Sequence, residues 1–304
     1  MHPHPGRCWA NQLPNYILTN MRSNRFFPDP VRRRPPRLMW VSLHVVGIGL
    51  LVLCDGWPTS GVLSFLLPSS IVLTVLLYAG ASFRDPGYAK LPSHEGRQLL
   101  LKQTLLQLPF CAHCSAELQA RTKHCHDCGR CVNRMDHHCW WLGNCVGKRT
   151  HCNFLAFLIS ETTLLTLTLC LSLDAAGAAA HRHQLLKLLC AIICGIICLI
   201  PNLATTTLLV FQLVLLWRGE TTWERLRREQ LNAAAQLPPD ERPYDRGPLR
   251  NCMIFCGCEK VSQALTPDPS PSSPSPGELI NCRAMLYIVP PFLWNTPARS
   301  APCP

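Results

Sequence analysis

The sequence predicts an all-α multi-pass membrane protein, with four transmembrane helices and a cytosolic Cys-rich zinc domain between the second and the third. Three observations carry that prediction. Four runs of spanning length hold almost no charge, lysine and arginine gather on one side of those runs, and cysteines at metal-ligand spacing crowd one of the basic segments. With 15% charged and 48% hydrophobic residues among 304, the chain is poorer in charge than an average soluble protein.

The elements follow in order. Residues 1–37 are polar, Pro-rich and Arg-rich, without an apolar core and small-residue cleavage site, so no secretory signal is predicted. They form a cytosolic basic tail. The first span, 38–54, is an uncharged 17-residue run containing His44; at about 1.5 Å per residue it reaches roughly 26 Å, enough for a thin bilayer. The second, 61–83, has 23 uncharged residues and a predicted kink at Pro68. A loop, 84–153, follows and contains the Cys-rich domain (109–154). The third span, 154–173, is apolar except for Glu161 and scattered Ser and Thr. The fourth, 188–217, is longer than one crossing requires and carries Pro201 and Asn202 near its middle. Residues 218–260 form a membrane-proximal segment and 261–304 a disordered Pro/Ser-rich tail, with five prolines in 266–277 alone. Leu99–Phe110 is read as an interfacial amphipathic stretch or a plain linker, and Met285–Trp294 is too short to span. Any one apolar run taken alone fits a buried core helix, but four in so small a chain favour a membrane.

Orientation follows from the basic residues. The tail, the central loop and the segment after 217 hold seven, ten and ten Lys and Arg, whereas the connectors 55–60 and 174–187 hold none and two. Basic loops stay cytosolic, which places both termini and the Cys-rich loop there and makes 55–60 and 174–187 lumenal. The net charge of +11 then faces anionic lipid and anionic ligands, so nucleic acid is not needed as a partner. Short spans suit thinner bilayers, such as Golgi and endoplasmic reticulum membranes.

In the reducing cytosol the cysteines read as metal ligands. Their spacing is Cys111-x2-Cys114, His124-Cys125-x2-Cys128-x2-Cys131, then Asp136-His137-His138-Cys139 and Cys145. Cysteines two apart bite one tetrahedral zinc from a tight turn. Seven cysteines and six histidines (His113, His124, His126, His137, His138, His151) lie between 111 and 151, and two closed sites consume only eight ligands. Spacing does not say which members are spare. Asp-His-His-Cys suggests chemistry for the surplus, because an imidazole steadied by a carboxylate can take a thiol's proton.

This segment resembles the DHHC protein S-acyltransferases, also called palmitoyltransferases. The similarity runs through 111–154 and extends to Asp85-Pro86-Gly87 after the second span and Thr221-Thr222-Trp223-Glu224 after the fourth, in all about 40–250, as in smaller members of the family. The resemblance implies two structural zinc ions, one on Cys111, Cys114, His124 and Cys131, the other on Cys125, Cys128, His138 and Cys145. It leaves Cys139 as the acyl-accepting nucleophile, His137 as its general base and Asp136 to orient His137. It further implies acyl-CoA (palmitoyl-CoA) as substrate, membrane-associated proteins bearing cysteines as partners, and ping-pong transfer of the fatty acyl group through acyl-Cys139.

Two positions depart from the family pattern. Trp140 follows the nucleophile where proline is usual, and Thr150 replaces a common asparagine, which predicts a looser packing hydrogen bond. Trp140 sustains the alternative of a catalytically weak or inactive membrane zinc adaptor that binds partner proteins. A RING-type ubiquitin ligase fits less well, since it gives no reason for the Asp-His-His-Cys run. Asp85 and Thr222 are read as hydrogen-bond hooks between spans and zinc loop, with a turn and a helix cap as the plainer reading. Asn251 matches a family position that packs against the bundle. Glu161 is either functional or hydrated at the membrane edge. Cys190, Cys194 and Cys198 read as packing residues on one helix face, whereas Cys252, Cys256 and Cys258 are either acylated or inert. Lys123, Arg130, Arg134 and Lys148 are candidates for CoA phosphates, with solvated surface charge the plainer account.

Overall fold

The computed structural model describes residues 34–90, 110–111, 113–114, 116–117, 121–234 and 237–257. The tail up to residue 33, residues 99–109, the Pro-rich segment 266–277, Met285–Trp294 and Cys258 lie outside the described residues.

Each apolar run forms one helix: α1 (Arg34–Leu53), α2 (Leu63–Phe83), α3 (His151–His181) and α4 (Leu185–Arg218). All four are long and apolar enough to cross a membrane. Helix α3 is the most buried and packs against both α2 and α4. The other three turn large apolar side chains outward, among them Phe65, Leu76, Ile200 and Leu203. In water such a surface would be costly, and against hydrocarbon it is not. Polar ties between the helices include Thr74 Oγ1, 2.6 Å from Ser160 Oγ in the interior, and Asn202 Nδ2, which donates to Thr166 Oγ1 at 2.9 Å at an exposed position.

Three helices exceed their predicted bounds: α1 begins at Arg34 and not at 38, and α3 and α4 are each longer than the runs 154–173 and 188–217. The run Asp174–Ala180 is alanine-rich, a strong helix former, so α3 continues to His181 and the connector shrinks to Arg182–Gln184. At about 1.5 Å per residue, α3 and α4 reach roughly 46 and 51 Å, well past a hydrocarbon core of about 30 Å. Helix length therefore gives no argument for a thin membrane.

The expectation of an all-α protein also needs amending. The protein is mostly helical, but the Cys-rich loop folds into three two-stranded antiparallel hairpins. They are β1 (Phe110–Cys111) with β2 (Ala116–Glu117), β3 (Lys123–Cys125) with β4 (Arg130–Val132), and β5 (His137–Cys139) with β6 (Asn144–Val146). Ligand pairs two apart need a sharp chain reversal, which a hairpin turn supplies and a helix does not. After α4 come α5 (Thr222–Leu226), α6 (Arg228–Ala234) and α7 (Pro248–Cys256).

The hairpins are docked on the helix ends by side chains that reach backbone carbonyls. Arg37 donates to the carbonyls of Ser82, Leu142 and Gly143. Asn144 donates to Ala81 and Arg84, and the Tyr78 hydroxyl to Trp141 at 2.9 Å. Arg134 is buried, lies over the Phe255 ring, and donates to the carbonyls of Ile254 and Phe255. Gly147 permits the close approach, since a Cβ there would stand 2.5 Å from Val132 Cγ1 and 2.7 Å from the Pro86 carbonyl.

Candidate active site and metal centres

Strand pairing gathers the two candidate metal centres. His124 faces Cys131 across β3–β4, and His138 faces Cys145 across β5–β6. Each facing pair joins a Cys-x2-Cys bite, giving Cys111, Cys114, His124 and Cys131 in one cluster and Cys125, Cys128, His138 and Cys145 in the other. Within each cluster the four ligand atoms lie within 4.8 Å of one another. The Nδ1 of His124 is 3.2 to 3.8 Å from its three sulfurs, and that of His138 is 3.4 to 3.5 Å from its own. These contacts read as the edges of ligand tetrahedra. Zinc–sulfur bonds of about 2.3 Å and zinc–nitrogen bonds of about 2.0 Å give edges of roughly 3.5 to 3.8 Å. Six buried thiols with two imidazoles suit zinc in both places.

The same strand geometry separates chemistry from metal. Side chains alternate along β5, so His138 joins the cluster of Cys125, Cys128 and Cys145 while His137 and Cys139 share the opposite face. That face looks into the helix bundle. The His137 ring packs edge-on against Phe154, with centroids 5.4 Å apart, and the Cys139 thiol is close enough to raise its pKa. Cys139 is buried and lines a cavity between the helices.

Asp136 completes the group. Its Oδ2 accepts from His137 Nδ1 at 2.7 Å, from the Thr222 hydroxyl at 2.7 Å and from Gln212 Nε2 at 3.2 Å, while Oδ1 accepts from the Thr222 backbone N–H at 2.7 Å. Burial alone would raise its pKa, but those donors outweigh burial and hold the carboxyl well below the usual carboxylate range. Asp136 therefore stays ionised. His137 shows the converse: burial lowers its pKa, yet the bond to Asp136 and the nearby Cys139 thiol hold it up at about 9. An imidazole so placed is a strong acceptor for a neighbouring thiol's proton.

The cavity has a volume of about 410 Å³ and is almost wholly apolar. From Cys139 and Trp141 it runs past Trp40, Phe154 and Phe157 toward Leu165, Thr168 and Pro201. An apolar space of this size beside a buried thiol suits a hydrocarbon chain.

Asp85 acts in both of the ways anticipated. Its Oδ1 closes the turn by accepting from the Gly87 and Tyr88 amides, and its Oδ2 pairs with Arg149 of the zinc loop at 2.8 Å. Thr222 grips Asp136, while Thr221 and Glu224 form the capping box of α5. Glu224 also takes a two-pronged bond from Arg121, both distances 2.7 Å. Asn251 is buried and ties α7 to the Trp217 carbonyl at 2.7 Å. Thr150 is buried and makes two hydrogen bonds, donating to the Cys145 carbonyl at 3.0 Å and accepting from Gly147 N–H at 3.1 Å. The Trp140 side chain is exposed, and its carbonyl closes the hairpin turn by accepting from Gly143 N–H at 3.0 Å. The backbone turn thus forms without proline.

Arg134 is not surface charge, as described above. Lys123 lies over Trp223 and Arg130 over Tyr88, while Lys148 is exposed. Cys194 and Cys198 are buried in the bundle, with Cys190 packed beside them. His113 stacks on His124 and His126 meets it edge-on, both outside the ligand set, and His151 is buried against Phe255. Cys252 and Cys256 lie on α7, half-buried, as free thiols. Two features escaped the sequence reading. One is the grip of Gln212 on Asp136, signalled only by an amide inside an apolar run; the other is the pairing of buried Glu161 with His44.

A family model described as DHHC palmitoyltransferase matches residues 106–229. The chain is 34% identical over 224 residues to mouse "Palmitoyltransferase ZDHHC12", covering 66% of this chain and 78% of that protein. It is 33% identical over 212 residues to the human protein of the same name, with the same coverage. It is also 36% identical over 146 residues to "Protein S-acyltransferase 10" of Arabidopsis thaliana, of whose length it spans 42%.

Proposed function

The chain belongs to the DHHC palmitoyltransferase family of protein S-acyltransferases, and from that premise we propose that it moves a fatty acyl group from acyl-CoA to cysteines of membrane-associated proteins through a thioester on Cys139. The observation that carries this reading is the position of Cys139, which meets His137 on one side and the mouth of the apolar cavity on the other.

The two halves of the reaction follow from that position. The acyl chain enters the cavity, and the CoA head stays at the cytosolic rim. His137 takes the proton of Cys139, and the sulfur attacks the thioester carbonyl. The bond to the CoA sulfur breaks, and that thiolate leaves with the proton His137 holds. A substrate cysteine then gives its proton to His137 and attacks the acyl-enzyme, and Cys139 is regenerated as a thiol. Asp136 holds His137 in the tautomer that presents Nε2 to sulfur. When bound, the zinc ions staple the hairpins that carry these residues and, with four protein ligands each, take no part in the chemistry.

In this reading the tails and the zinc domain lie in the cytosol, and the connectors 55–60 and 182–184 lie in the lumen. Incubating the purified protein with a clickable palmitoyl-CoA tests it. The expected result is covalent label on Cys139, released by neutral hydroxylamine, with one CoA freed per label. An intact two-zinc protein that takes no label would instead be an adaptor.

A further inference from the structure

The turn that joins β5 to β6, residues 140–143, is set below the ends of the helices. Leu142 is fully buried in a cluster with Trp40, Tyr78, Phe154 and Phe157, and the Trp141 carbonyl accepts from the Tyr78 hydroxyl at 2.9 Å. Tyr78 lies five residues inside the end of α2 at Phe83, and Trp40 four residues inside the candidate membrane span that begins at Pro36. At about 1.5 Å per residue, the turn therefore reaches roughly 6 to 8 Å into the helical layer. That is the depth of the boundary between headgroups and acyl chains.

The backbone and the side chains of the turn both suit that depth. Each of its four carbonyls has a donor from the protein. Trp140 accepts from the Gly143 N–H at 3.0 Å, Trp141 from Tyr78, and Leu142 and Gly143 from the Arg37 guanidinium at 3.1 and 3.2 Å. A turn in water can leave its carbonyls to solvent, whereas irregular backbone at membrane depth needs partners from the protein. Beside this closed backbone stand two open side chains. Trp140 is 54% exposed and Trp141 46%, with their rings 5.2 Å apart. Phe83, whose ring lies against the same Arg37 guanidinium, is 70% exposed. An indole joins an apolar body to a polar N–H, and such rings collect at the bilayer interface.

We propose that the β5–β6 turn is an interfacial anchor, in which Trp140, with Trp141 and Phe83, sits among phospholipids at the boundary of headgroups and acyl chains. The partner of this surface is the bilayer itself. Trp140 stands where the family pattern has proline, and the anchor gives that departure a use. The anchor requires the multi-pass arrangement of the helices but not the transferase reading.

Photocrosslinking of the purified full-length protein in phospholipid bilayers tests this. Benzoylphenylalanine replaces Trp140 or, as a control, exposed Asp127 in the turn of the β3–β4 hairpin, and adducts are read by mass after irradiation. The expected result is a phospholipid added at position 140 and none at 127. Lipid adducts at neither position, or equally at both, overturn the anchor, and so does an adduct from 140 to a second copy of the chain. If the crosslinker variants do not fold, bilayers brominated on the acyl chain either near the ester or near the terminal methyl decide, since bromine quenches indole on contact. Trp140→Phe should remove more of the emission quenched by near-ester bromine than of that quenched by terminal bromine. A loss equal for both lipids, or confined to emission that neither quenches, overturns the anchor. None of these readouts requires acyl transfer, so the transferase reading stands or falls separately.

Discussion

Thr222 holds both oxygens of Asp136, its backbone N–H donating to Oδ1 and its hydroxyl to Oδ2, each at 2.7 Å. These two residues lie on either side of two candidate membrane helices in sequence, so the contact ties the Cys-rich loop to the C-terminal end of the fourth helix. Thr222→Val keeps the side-chain shape and the backbone bond but removes the hydroxyl. Acyl uptake on Cys139 should fall about tenfold, the lower range for loss of a positioning group, with Thr222→Ser restoring it. Gln212→Leu should act in the same direction. Unchanged uptake rates in both variants would show that His137 alone keeps Asp136 in place.

Cys139→Ser should end hydroxylamine-sensitive acylation while leaving two zincs per chain, because Cys139 lies on the opposite face of its strand from His138. His137→Ala should slow acylation by roughly 10²- to 10⁴-fold, as expected for a lost general base. Loss of a zinc from Cys139→Ser, measured by metal analysis, would instead make that sulfur a ligand.

Alanine at Cys125 or His138 should remove one zinc and lower the thermal stability of the whole protein, since structural zinc binding is itself folding free energy. Chelation should have the same effect on the wild type. The docking contacts of Arg37 and Asn144 transmit the loss to the helices. Retention of two zincs by Cys125→Ala would break the ligand assignment.

A glycosylation acceptor inserted at residues 182–184 should be modified, and one inserted at 121–135 should not. The first site joins two spanning helices at the end remote from the hairpins. Modification at the second site alone would invert the topology.

Much of this protein could be read from its sequence because the signals are local. Four apolar runs must be satisfied by helices in hydrocarbon, and Cys-x2-Cys spacing calls for a metal whatever surrounds it. Basic residues on one side of the spans supply the orientation expectation in the same way. Other features depended on how the chain comes together. Spacing left the spare thiol open, whereas the alternation of β5 separates His138 from His137 and Cys139. Gln212 is 76 residues from Asp136, and no periodicity connects an amide in one span to a carboxylate in a distant loop. The ends of α3 were decided by its alanine-rich extension, which is helical without being apolar enough to extend the predicted span. His44 and Glu161 each stood out as polar groups in apolar runs, but their meeting in the same cavity came from the packing of α1 on α3. Residue types and spacings determined what each segment must be, because those demands are made within a turn or a hairpin. Which side chains share a site was left to tertiary structure, because that depends on contacts between segments far apart in the chain.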